Sequence, residues 1–130
     1  MDERLILGIR EFNEGRYFEA HDVLEDLWQG YREADRPLLQ ALIHASVGFY
    51  HLENGNLRGC HSQLSKACLK MDAYLPEHWG LFLVPLYQFL RHSIAQIGDV
   101  RQSGKSFIGP TGQPRIQFCD TEGVCYQSNS

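Results

Sequence analysis

Tyr17-Phe18-Glu19-Ala20-His21-Asp22-Val23-Leu24-Glu25-Asp26-Leu27-Trp28 is the stretch whose reading decides the fold. Ala20, Leu24, Leu27, Trp28 and Tyr31 recur at three- and four-residue intervals and line one side of a helix from about Tyr17 to Arg32. Glu19 and Asp22 stand in its first turns, where carboxylates favour the helix dipole. Trp28 shares the face of Leu24 and Tyr31, so burial of its indole is expected.

Outward from this helix the same period continues. Leu5, Ile6, Ile9 and Phe12 mark a first helix closed by Asn13-Glu14-Gly15. On the other side, Asp35-Arg36-Pro37 reads as a cap with proline near the first helical position. The third helix then runs to about Glu53 and closes at Asn54-Gly55-Asn56. Leu57, Cys60, Leu64, Ala67, Met71 and Tyr74 stripe a fourth helix, ended by Pro76. A fifth is predicted from near Leu83, with Pro85 in its first turn, to Gly98. The expected fold is all-α: a compact bundle of about five helices over residues 1–100, built from two helix-turn-helix hairpins stacked through the third helix. Residues 101–130 are rich in Gly, Pro, Ser and Thr, and their short apolar pieces, such as Ile116-Gln117-Phe118, suggest an extended or partly mobile tail able to strap across the helices. Gly8, Gly15, Ala20, His21 and Leu24 also match Gly48, Gly55, Cys60, His61 and Leu64 at an offset of 40. Tetratricopeptide-like hairpins use small residues this way, but generic hairpin geometry accounts for the matches as well.

Composition bounds the function. The chain has 130 residues and 14.9 kDa, enough for one domain with its own core. A formal charge of −4 and a pI of about 5.8 argue against nucleic acid as partner. No apolar run approaches the roughly 18 residues of a membrane helix, and the charged start Met1-Asp2-Glu3-Arg4 does not resemble a signal peptide. Cys60 and Cys68 fall in an apolar helical stripe, while Cys119 and Cys125 in the tail leave a bridge open. The expectation is a reduced, cytoplasmic protein.

Several motifs fail on spacing. Gly104-Lys105-Ser106 lacks the earlier glycine of a phosphate-binding loop, since Gly98 is one place too early and a helix precedes it. Cys60 and His61 point about 100° apart on a helix and do not form a Cys–His pair. The informative side chains lie between Tyr17 and Asn56. His21, Glu25 and Trp28 fall within about 60° of arc on the second helix, and Gln40, His44 and His51 within about 40° on the third. Apolar residues flank the second group on both sides: Leu39, Ile43, Val47 and Tyr50, then Leu42, Ala45 and Phe49. The polar stripe is therefore expected to point into the seam between the second and third helices. At least one imidazole of His21 or His44 should reach Glu25 or Gln40 there, while His51, about 10 Å along the helix, reaches another partner. Three readings stay open: a buried hydrogen-bond network, a pocket in which Glu25 tunes a histidine as general base, and a metal site of His21, His44, His51 and Glu25.

Phe12-Asn13, the Tyr17–Trp28 stretch, Leu39-Gln40-Ala41-Leu42-Ile43-His44-Ala45, then His51 and Gly55-Asn56, resemble the hallmark of a small all-helical family of unknown function, numbered 309 among such domains. The resemblance covers about residues 5–75. It implies a compact helical bundle with bacterial, archaeal and plastid relatives, and no established activity comes with it. Family members have glutamate where Asp22 stands, glycine where Ala41 stands and usually glutamine where His44 stands. A position that accepts glutamine is a poor candidate for an essential metal ligand, so the resemblance weakens the metal reading. With no nucleophile, cofactor loop or oxyanion device to name, the favoured function is a binding or interaction module, with no metal or cofactor. The alternative is a small-molecule or metal-dependent enzyme using His21, Glu25 and His44. Leu81, Phe82, Leu83 and Tyr87 leave apolar surface that would suit a homodimer.

Overall fold

Two close approaches of helix to glycine set the architecture, described for residues 1–103 and 112–119 in a computed structural model. Helix α1 (Glu3–Asn13) and α2 (Tyr17–Gly30) form the first hairpin; α3 (Arg36–Glu53) and α4 (Leu57–Met71) form the second. A Cβ on Gly8 would stand 2.5 Å from Leu24 Cδ2, and one on Gly48 would stand 2.6 Å from Leu64 Cδ2. The same contact thus recurs in both hairpins at the offset of 40 seen in the sequence. Each hairpin turns on a glycine in the left-handed region, Gly15 at φ 80° and Gly55 at φ 76°. α3 packs against both α2 and α4 and is the central helix of the layer.

After a 3-10 turn (Asp72–Tyr74) come two short strands, β1 (Glu77–His78) and β2 (Leu81–Phe82), and then α5 (Val84–Ser103). α5 packs on α4. It runs past Gly98, where the sequence reading ended it; Gly98 has open space around it, and a lone glycine lowers helix propensity without stopping a packed helix. The strands are a second departure. Two-residue strands are too short for an alternating pattern to register. β3 (Gln117–Phe118) pairs antiparallel with β2, giving the order β1-β2-β3.

The described part of the tail is a strap. Asn13 clasps the Ile116 backbone from both sides, donating Nδ2–H to its carbonyl at 3.0 Å and accepting its N–H at 2.7 Å. The Ile116 side chain is buried, and the Cys119 N–H donates to the Gly80 carbonyl. Gly104-Lys105-Ser106 and Cys125 lie outside the described residues. Cys119 is disulfide-bonded. Cys60 and Cys68 are free and buried among apolar neighbours, which pushes their thiols up to about 12 and about 11.

The core is one continuous cluster from Leu5 and Phe12 through Leu24, Leu42 and Leu64 to Leu86, Leu90 and Ile116. Leu81 and Leu83 belong to it and are fully buried. Of the four residues expected to leave apolar surface, β2 and the residue after it turn Leu81 and Leu83 inward, while Phe82 and Tyr87 are half-buried. Among the described residues no helix is long and apolar enough to cross a membrane.

Candidate functional site

α3 is covered on most of its circumference: Leu38, Leu39, Ala41, Leu42, Ala45, Ser46, Gly48 and Phe49 are buried. Gln40, Ile43, His44, Val47, Tyr50 and His51 are not, and their three- and four-residue spacing makes one stripe along the helix. α2 borders it on one side, with the Phe18 ring 5.4 Å from Tyr50. α4 borders it on the other, through Gln63 and Lys70. The stripe is thus the open floor between two helices, not the inside of a seam. Ile43, Val47 and Tyr50, expected in a buried flank, share that floor. A helical projection finds which residues share a direction but not which direction a neighbour covers.

The candidate side chains divide accordingly. His21 Nε2 lies 2.6 Å from Glu25 Oε2, an i, i+4 pair wholly within α2. The expected imidazole–carboxylate contact exists, but no convergence of α2 and α3 makes it. Instead Phe18 packs its ring 6.0 Å from His21. His44 turns the other way, to α4: its Nδ1 is 2.8 Å from Gln63 Oε1 and its Nε2 is 3.0 Å from Lys70 Nζ. Gln63 Oε1 can only accept and the Lys70 ammonium can only donate, so the ring that fits is neutral with its proton on Nδ1. Partial burial lowers the His44 pKa, and the positive charges of Lys70 and Lys66 add to this against the opposing Gln63 bond.

His51 meets the α3–α4 turn, its Nδ1 3.4 Å from the Asn56 amide. Asn56 in turn caps α4 by accepting the Gly59 N–H at 2.9 Å. A Cβ on Gly59 would stand 2.9 Å from His51 Cδ2, so glycine is what lets this corner close. Gln40 is half-buried and makes no side-chain hydrogen bond among the described residues. Trp28 is half-buried rather than buried: the Arg36 guanidinium lies 3.6 Å from its ring centroid and also donates to the Trp28 carbonyl. The indole packs against the edge of the core and is covered by a charged lid rather than enclosed. Among the described residues no three His, Cys, Asp or Glu side chains gather as a metal-holding group.

A second cluster escaped the sequence reading. Asp35, read as a helix cap, makes no side-chain cap bond. Its carboxylate instead accepts from the Tyr31 hydroxyl, from Trp79 Nε1 at 2.8 Å and pairs with His78 Nε2 at 2.9 Å. Partial burial would raise its pKa, but the three hydrogen bonds and the charge of His78 outweigh this and hold the carboxyl below its ordinary value. Burial, together with the bond to Asp35, pushes the Tyr31 hydroxyl up to about 12. Tyr31 at i−4 was the one local signal of this hub. His78 and Trp79 lie too far along the chain for spacing to connect them.

Residues 5–63, from α1 into α4, match the family model described as Domain of unknown function (DUF309). Among curated proteins none matches the chain.

Proposed function

We propose, for a chain whose residues 5–63 match this domain-of-unknown-function family, that it is an interaction module whose working surface is the α2–α3–α4 face and whose partner is a second copy of itself. The observation that carries this reading is the aromatic pair on that face, where the start of α2 meets the last turn of α3. Phe18 is 48% exposed and Tyr50 37%, and the two rings pack on each other. Large aromatic side chains held ready at a surface are the usual anchors of protein interfaces. Charge supports a two-fold arrangement. The α2 border carries Asp22 and Glu25, and the α4 border carries Lys66 and Lys70. A two-fold axis through the stripe lays the acidic border of one copy over the basic border of the other.

The enzymatic alternative has less support, because His21 and Glu25 engage each other on α2 while His44 engages Gln63 and Lys70 on α4. Sedimentation velocity over a concentration series tests the proposal. The expected result is a dimer that Phe18→Asp or Tyr50→Ser returns to monomer with unchanged far-UV circular dichroism. A charge-reversed chain (Asp22→Lys, Glu25→Lys) should pair only with its counterpart (Lys66→Glu, Lys70→Glu). A chain monomeric up to about 1 mM overturns the proposal, as does a dimer indifferent to these changes.

A further inference from the structure

Trp79 occupies a backbone conformation that bulky residues avoid. It stands at φ 55°, followed by Gly80 at φ 71°, in the two-residue loop between His78 and Leu81. Positive φ at both central residues is the demand of a type I′ hairpin turn, whose unstrained first residue is Asn, Asp or Gly. Tryptophan there is a strained choice. The turn gains nothing from it; the position of the indole does. Trp79 Nε1–H donates to Asp35, and the Tyr31 ring meets the indole at 6.1 Å and 84°.

So held, Trp79 and Tyr31 wall a hollow of about 420 Å³ that Leu5, Leu27 and Leu39 floor and that Met1 and Asp2 also line. The three leucines are buried in the bundle, whereas both aromatic walls are half-buried. The volume lies in the range of small-molecule sites and is too small for a helix. The polar atoms of the walls are already committed: Trp79 Nε1 and the Tyr31 hydroxyl both go to Asp35. What the hollow offers is ring surface and methyl groups. Asp2 accepts from the Arg4 backbone N–H and faces both its guanidinium and the N-terminal ammonium, so its charge is already balanced and the hollow gives no strong hold on an ion of either sign.

We propose that this hollow is a binding site for a small uncharged aromatic molecule of one or two rings, and that the strained Trp79 is kept for that purpose. Trp79 and Asp2 lie outside residues 5–63, so the site is a feature of this chain's hairpin and N-terminus joined to the family's bundle. It is separate from the α2–α3–α4 face and stands or falls independently of it.

Nuclear magnetic resonance on the full chain tests this with indole, benzyl alcohol and benzoate as probes, the Trp79 side-chain N–H being assigned through Trp28→Phe. Indole and benzyl alcohol should shift that resonance and the methyls of Leu5, Leu27 and Leu39 saturably, with Kd at or below about 1 mM, and benzoate should bind at least about tenfold more weakly. Trp79→Asn, which suits the turn, should keep the fold and lose at least about tenfold in indole affinity. Leu5→Phe, filling the floor from α1, should do the same without touching the hairpin. The absence of a saturable shift at 10-fold higher probe concentration, about 10 mM, overturns the proposal. So does undiminished indole binding by both variants, or a set of shifts spread evenly over the surface.

Discussion

At the scale of single residues, His44 shows how a neighbour's chemistry selects a protonation state. Only the neutral ring can donate to Gln63 and accept from Lys70 at once. Its pKa is lowered on folding, so its contribution to stability is present above the unfolded value near 6.5 and is lost as pH falls through the folded value. Glutamine at this position does not titrate. The stability advantage of the native chain over His44→Gln, from urea titrations, should therefore shrink as pH is lowered from 7.5 to 5; a pH-independent difference would contradict the assignment. Trp28 illustrates partial burial. Because its ring is only half-buried at the edge of the core, with Arg36 over it, Trp28→Ala should cost about 1–3 kcal/mol, below the range for a fully buried tryptophan. A measured loss above about 4 kcal/mol would place the indole in the core instead.

At the scale of elements, the two hairpins depend on the same contact. Gly8→Ala and Gly48→Ala each force a methyl against a fully buried leucine at Cγ and Cδ2, atoms that cannot swing away. Each substitution should destabilise by about 1–3 kcal/mol in chemical denaturation. If either is neutral, that pair of helices is further apart than described. The strap depends on Asn13 in a different way. Asn13→Ala removes both hydrogen bonds to the Ile116 backbone while leaving α1 itself intact. Hydrogen exchange should then accelerate at Ile116 and Cys119 but not in α2–α4. Equal exchange in both chains would mean that burial of the Ile116 side chain suffices to hold the strap.

At the scale of the whole molecule, the hydrophobic cluster passes without interruption from the first hairpin through the second to α5 and the strap. Such a core should unfold as one unit. Fluorescence of Trp28, on the first hairpin, and of Trp79, on the β1–β2 turn, should report a common urea midpoint, read in Trp79→Phe and Trp28→Phe variants and compared with circular dichroism for each. An earlier transition seen only by Trp79 would mean that residues 75–82 and the strap open separately from the bundle. The hub at Asp35 makes the single transition the expectation, since it joins the end of α2, the start of α3 and the turn after α4 through one carboxylate.

What the chain alone determined is its helical framework. The apolar period of Leu24, Leu42 and Leu64, the glycines at 15 and 55 and the prolines at 37 and 76 are local signals, each acting within a turn or two. The grouping of Gln40, His44 and His51 on one side of α3 is local geometry too. What surrounds that side is not local. Whether α2 closes over the stripe or leaves it open depends on how two hairpins pack, and only that packing sent His44 to α4 and left His21 with Glu25. The same holds for Asp35, whose partners His78 and Trp79 lie 43 and 44 residues away, and for the Asn13 clasp on Ile116, 103 residues away. Periodicity tells a side chain which way to point; the free energy of covering neighbouring surfaces decides what it finds there.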